Sequence, residues 1–372
     1  MEKTAPKVLY TASSSAHLES FHLPYLAALC DRGWSVTAAA NGSGERLGEG
    51  VRFLDVPFTK SFVSPKNFRA AFMLAGNIRS ERYDVILTHT SLAAFFTRLA
   101  VMLAGKKKCR VVNTVHGYLF DKNSPFLRRT VLLAAEKLTA PVTDDILVMN
   151  RCDETIAKKH RLCRGSVYFI PGMGVDFSKF PPITAAEREA ARKEYSFTES
   201  TVVLVCAAEF SARKNQTMLL DALSLLPENY ALLLPGDGAL LAQCREKTDA
   251  LGISDRCRFP GRMQNVRTAL AAADICVSAS RSEGLPFAVM EAMHCALPCV
   301  LTDVKGHEDL LADSGAGRLV PYGDPEKTAA AVRALGDDPA LRKSMGAAAQ
   351  KAAEKYSLES VMPEVLKLFT KC

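Results

Sequence analysis

Short apolar runs rich in strand-forming residues alternate with longer amphipathic runs along almost the whole chain, and this alternation constrains the fold more than any other feature. The strand-like runs of the first half fall at 8–11, 35–40, 85–88, 111–115, 146–149 and 167–170. Helix-like runs lie between them at 17–32, 67–82 and 126–138, and the apolar stretch 91–104, interrupted by Arg98, reads as a buried helix. Strands buried on both faces are continuously apolar, and parallel neighbours need a crossover, normally helical. The pattern therefore predicts an α/β chain with parallel sheets covered on both sides.

The alternation pauses at Pro171-Gly172-Met173-Gly174 and Pro181-Pro182, where neither period survives, so a link is expected near 172–184. It resumes with strands at 202–207, 231–234, 258–259, 275–278 and 299–301, and helices at 216–226, 239–251, 266–273, 287–293, 326–335 and 339–356. Asn215 is the expected N-cap of the first of these helices. With 372 residues, the chain accommodates two such units, 1–176 and 177–356, which implies two Rossmann-like domains facing each other. Ligands of such sheets bind beyond the carboxyl ends of the strands.

Composition narrows the function. The eleven cysteines form no CxxC pair and read as small buried hydrophobes in a reducing compartment. There is no HExxH and no DxD, so neither a protein-held metal nor a cofactor is expected. Met1–Lys7 is short and polar and no 18-residue apolar run occurs, so a cytoplasmic location is expected, without a leader or a membrane span. Residues 1–180 hold 25 Lys and Arg against 15 Asp and Glu, whereas 181–372 hold 22 against 25. The basic clusters Lys106-Lys107-Lys108, Arg128-Arg129 and Lys158-Lys159-His160-Arg161 suit an anionic surface, such as the inner face of a plasma membrane, or an anionic substrate; ordinary solvated faces explain them equally well. No nucleic-acid-binding motif accompanies them.

The segment Ser280–Glu291 follows a strand and enters a helix through Pro286. Glu283 and Glu291, eight residues apart, are at most about 12 Å apart along a helical rise, roughly the span of a diphosphate with a sugar on each side. One carboxylate suits a hexose and the other a ribose, with the amides of Gly284 and Leu285 aimed at the phosphates between them. Spacing alone leaves an accidental pair equally open. The loop 209–216 places Glu209, Arg213 and Lys214 after the first strand of the second half, where two cations can stabilise a diphosphate leaving group; a solvated charged loop is the competing reading. Gly236 and Gly238 permit close approach of a donor, or simply form a turn. In the first half, Ser13-Ser14-Ser15 can contact a phosphate through Ser15 or cap a helix, and His116 and, more weakly, His89 stand at strand ends.

In order along the chain, VLYTASSSAHLESFHLPYLAALCDRGWSV, LTHTSLAAFFTRLA, NTVHGYLF, FIPGMGVDFSKF, EFSARKNQ, LPGDG, AADICVSASRSEGLPFAVMEAM and LPCVLTDVKGHEDLL resemble the family 4 retaining glycosyltransferases of the two-domain GT-B fold, most closely their bacterial capsular and exopolysaccharide branch. The resemblance implies that Glu283 contacts the donor sugar, Glu291 the ribose, Arg213 and Lys214 the diphosphate, and His116 the donor sugar and acceptor. It implies retention of anomeric configuration without a protein nucleophile, the departing diphosphate helping to deprotonate the acceptor. It also implies a last helix, 357–372, crossing back to the first domain. Two features depart from the family pattern: serines replace glycines in the first loop, and Arg213 and Lys214 are adjacent rather than spaced Arg-x4-Lys. The expected reaction moves a hexose or N-acetylhexosamine from a nucleotide sugar, UDP being the commonest carrier, to a surface polysaccharide on a polyprenyl diphosphate. A nucleotide-sugar 2-epimerase and a non-catalytic sugar-nucleotide-binding component of a polysaccharide assembly complex are the alternatives.

Overall fold

The computed structural model describes residues 5–105, 109–121 and 124–371; Lys106-Lys107-Lys108 lies outside them. The chain divides into two compact units, Met1–Met173 with Val361–Cys372, and Gly174–Ser360.

Unit 1 contains β1 (Lys7–Ser14), β2 (Ser35–Asn41), β3 (Val51–Asp55), β4 (Val85–His89), β5 (Arg110–Val115), β6 (Asp145–Val148) and β7 (Val167–Phe169). They form one sheet in the order β3-β2-β1-β4-β5-β6-β7, with every pair parallel. The direction of winding reverses between β1 and β4, which is where an open sheet of this kind leaves a crevice. Its apolar core includes Leu9, Leu74, Ile86, Phe96 and Val111. Arg98, fully buried in the helix Ser91–Ala104, is matched by Glu136 at 2.9 Å. The helix Leu358–Phe369 ends within this unit, where Arg110 Nη1 donates to Leu368 O and the Phe369 ring packs on Tyr10, Tyr25 and His89.

Unit 2 contains β8 (Val202–Val205), β9 (Tyr230–Pro235), β10 (Cys257–Gly261), β11 (Ile275–Ser278), β12 (Cys299–Thr302) and β13 (Gly317–Val320). Their order, β10-β9-β8-β11-β12-β13, is again parallel and reverses between β8 and β11.

Three local expectations change. Residues 17–32 are not one helix: Ser15–Phe21 and Leu23–Asp31 meet at His22, because the Pro24 ring would collide with the Ser20 carbonyl of a continuous helix. Asn215 stands at the N-cap position but does not cap. Its φ of +51° is left-handed, and its side-chain oxygen accepts from Thr217 Oγ1 instead. The edge strands β3 and β13 escape the sequence pattern because most of their side chains are half-buried or exposed and form no apolar run.

Candidate functional site

In unit 2, Glu283 lies in the loop after β11, and Arg213 and Lys214 lie in the loop after β8, on either side of the reversal point. The two loops are tied together: Arg281 N–H donates to Arg213 O at 2.7 Å, and Arg213 Nη1 to Ser282 O at 3.2 Å. Glu283 is 7% exposed, with its Oε1 2.7 Å from Lys214 Nζ and its Oε2 2.9 Å from Arg213 Nη1. Burial alone would push this carboxyl up; the ammonium of Lys214 and then the guanidinium of Arg213 outweigh it and hold the group down at about 2. Hydrogen bonds from Lys214 and Ser280 to the carboxylate add to the same downward pull.

Leu285 is buried, and the helix Phe287–His294 begins after Pro286 with no side-chain cap hydrogen bond. Its N-terminal partial positive charge therefore adjoins the Glu283–Gly284 loop. Glu291 is the fifth residue of that helix, where burial raises its carboxyl to about 7 against the weaker opposing pull of Lys179. A small pocket at the carboxyl ends of β8 and β11 is lined by Ala207, Lys214, Ser278, Pro286 and Ala288.

Gly236 and Gly238 are explained by close backbone packing. Added Cβ atoms would stand 2.0 Å from Ala208 O and 2.5 Å from Phe210 O, at φ values of +151° and +149°. These glycines let the loop after β9 seat the loop carrying Glu209. The Glu209 side chain is exposed, while its carbonyl accepts from Gln216 Nε2.

His307 has no assignment in the sequence reading, yet it belongs here. It is fully buried at the start of the helix His307–Leu311, its Nδ1 2.9 Å from Thr302 O, with Nε2 unpartnered. Burial lowers it to about 4, against a smaller upward pull from Glu283. Gly306, at φ +82°, packs so tightly that a Cβ would meet Gly284 O at 2.5 Å. The signal was available: a histidine just beyond a strand's carboxyl end, the same position that singled out His116.

In unit 1, the corresponding reversal point carries histidines. Ser14 caps the helix Ser15–Phe21 by accepting from His17 N–H, and Ser15 is buried against Gly42, where a Cβ would reach Ser15 Oγ at 2.5 Å. Ser15 thus belongs to a different unit from the other candidate donor contacts. His116 follows β5, and Asp153 holds the adjoining turn by accepting from Tyr118 N–H. His116 Nε2 is 3.2 Å from Nδ1 of His89, which ends β4. Thr90, immediately after, is held at φ +60°, costly for a β-branched residue, and its Oγ1 accepts from Ser13 N–H.

Residues 25–172 match Glycosyltransferase Family 4, and residues 187–352 match Glycosyl transferases group 1. The chain belongs to glycosyltransferase family 4. It is 29% identical over 367 residues to the putative glycosyltransferase EpsD of Bacillus subtilis, covering 98% of this chain and 96% of that one. It is 25% identical over 303 residues to the Escherichia coli UDP-Gal:alpha-D-GlcNAc-diphosphoundecaprenol alpha-1,3-galactosyltransferase, covering 79% and 77%. Among solved structures, Anabaena HepE in complex with UDP and glucose superposes with a TM-score of 0.80 at 18% identity, covering 99% and 100%; the lipopolysaccharide glycosyltransferase WaaG gives 0.77 at 16%, covering 98% and 100%. The fold of this family 4 glycosyltransferase is therefore GT-B, with two parallel-sheet Rossmann-like domains. Among the described residues, no helix is long and apolar enough to cross a membrane.

Proposed function

We propose that this glycosyltransferase moves a hexose or N-acetylhexosamine from a UDP-sugar to a growing surface polysaccharide carried on a polyprenyl diphosphate, with retention of anomeric configuration. The observation that carries the reading is Glu283: a buried, ionised carboxylate clamped by two cations at the carboxyl ends of the strands. A carboxylate of this kind orients sugar hydroxyls, which are donors, at little reorganisation cost. Lys214 and Arg213 then face the negative charge that develops on the departing diphosphate, without a protein-held metal in that step. The amides of Gly284 and Leu285 receive the phosphates, with Ser15, Glu209, Gly236 and Gly238 completing the donor contacts. Glu291 receives the ribose, and His116 contacts the donor sugar and acceptor. The diphosphate takes up the acceptor proton as it leaves. The domain limits that fit this division of labour are 1–176, 177–356 and 357–372.

The named substrates of the Escherichia coli relative support the UDP-sugar and the lipid diphosphate. Peripheral attachment to the inner face of the plasma membrane is supported by the helix Phe126–Thr139, which exposes Phe126 (74%), Leu127 (74%) and Val131 (54%) beside exposed Arg128. The test is to incubate the purified chain with a panel of nucleotide sugars and polyprenyl-diphosphate-linked acceptors and to follow product by mass spectrometry. Transfer from a UDP-sugar is expected. A folded sample that neither binds nor hydrolyses any donor, and transfers to no acceptor, overturns the reading.

A further inference from the structure

Three histidines that sequence motifs do not connect converge in unit 1. His17 comes from the helix Ser15–Phe21, His22 from the break that follows, and His116 from the loop after β5. One ring nitrogen from each lies within 4.8 Å of the others. In an unbroken helix, positions five apart point about 140° away from each other. The break at His22 instead brings its Nε2 to 3.2 Å from His17 Nε2.

We infer that His17, His22 and His116 form a binding site for a divalent transition-metal ion of the zinc class, with its remaining position open to solvent. Two nitrogens bound to one tetrahedral ion at about 2.0–2.1 Å stand about 3.3 Å apart, and the His17–His22 pair already has that spacing. His22 also has the outer partner such a ligand requires. Its Nδ1 is 2.7 Å from the buried Tyr10 hydroxyl, so an Nδ1–H donated to that oxygen leaves the Nε2 lone pair facing His17. His116 is steadied by His89, whose Nδ1 lies 3.2 Å from His116 Nε2 and whose ring stacks on Tyr10 with centroids 4.4 Å apart. His22 and His89 are fully buried, whereas His17 and His116 are half-buried. An all-imidazole set suits zinc, cobalt, copper or nickel rather than magnesium or calcium. An ion there engages the same His116 imidazole that the transfer reading places against the sugar, so the two occupancies exclude each other. The alternative use of this cluster is a metal-free chain of hydrogen-bonded imidazoles.

The site does not rest on the transfer reading, and its test reads metal rather than sugar. Full-length chain without an affinity tag is stripped with a chelator and titrated with Co²⁺, then with Zn²⁺ in competition. One Co²⁺ per chain with the intense visible bands of tetrahedral coordination, displaced stoichiometrically by Zn²⁺, is expected, together with a zinc-dependent rise in Tm. His17→Gln, at the accessible rim, should weaken Co²⁺ binding at least tenfold, and His17→Gln with His116→Gln should abolish the bands. His160→Gln and His294→Gln, on other elements, should leave them unchanged. Absence of tetrahedral bands, or bands that persist in the folded His17→Gln/His116→Gln chain, overturns the inference. A chain inactive in transfer that still binds Co²⁺ in this way separates the two readings.

Discussion

The Glu283 carboxylate and the Lys214 ammonium stand 2.7 Å apart, although 69 residues separate them and the strands that carry them meet at the reversal point of the sheet. Arg213 reaches the other oxygen, so a single buried anion is held by two cations. The folded-state value of about 2 lies below the ordinary 4.5. The stabilisation is therefore complete above about pH 4.5 and is lost as pH falls through about 2, amounting to roughly 3 kcal/mol. Glu283→Gln should flatten this acid limb in urea unfolding measured from pH 6 to pH 2.5. An unchanged slope would place the acid sensitivity elsewhere. In transfer assays, Lys214→Ala should lower kcat by about 10²–10³, the usual effect of removing one electrostatic stabiliser.

The Arg98–Glu136 pair in unit 1 lies in an apolar setting, with Arg98 fully buried. Its guanidinium also donates to Ala94 O and Thr143 Oγ1. Glu136→Ala leaves that charge without its carboxylate and should cost about 3–5 kcal/mol, whereas Arg98→Met with Glu136→Leu should be close to neutral. Chemical denaturation of both variants checks the contrast. Similar losses in the two would mean that the pair contributes net stability.

Phe126 and Leu127, each 74% exposed, immediately precede the basic Arg128-Arg129 step. Phe126→Ser with Leu127→Ser should reduce sedimentation with vesicles of anionic phospholipid by at least tenfold while leaving Tm within a degree or two, since the two side chains contribute little to the core. Equal sedimentation of variant and parent would remove this helix from the membrane reading.

The central strands were legible because burial on both faces writes a continuous apolar run, as at 85–88 and 275–278. The edges were not, because β3 and β13 are only partly covered and mix charge with apolar residues. The Glu283 segment was legible because a strand, a loop and a proline-led helix follow in order. The pairing of Glu283 with both cations was not, because strand order, not sequence distance, brings the two loops together. The histidine cluster was half legible. His89 and His116 stand at strand ends, where the pattern points, whereas His22 turns toward His17 only because Pro24 breaks a helix that periodicity alone continues.

Glu291 shows the opposite electrostatics to Glu283. Burial outweighs the opposing pull of Lys179, so its carboxyl is raised from the ordinary 4.5 to about 7. The sign is therefore reversed: its contribution is most favourable below about pH 4.5 and is lost as pH rises through about 7, a change of roughly 3 kcal/mol against the folded state once it is ionised. Glu291→Gln keeps the shape and removes the charge. It should raise the stability of the donor-free chain at pH 8 by roughly 1–3 kcal/mol and at pH 5 by less than about 1 kcal/mol. If Glu291 holds the ribose, the same variant should weaken UDP binding chiefly at pH 8, where the carboxyl is ionised and the amide replaces one acceptor oxygen with a donor. Thermal melts at pH 5 and pH 8, each with and without UDP, separate the two effects. A variant that is stabilised at pH 8 yet binds UDP like the parent would leave Glu291 a half-buried acid with no part in the donor site.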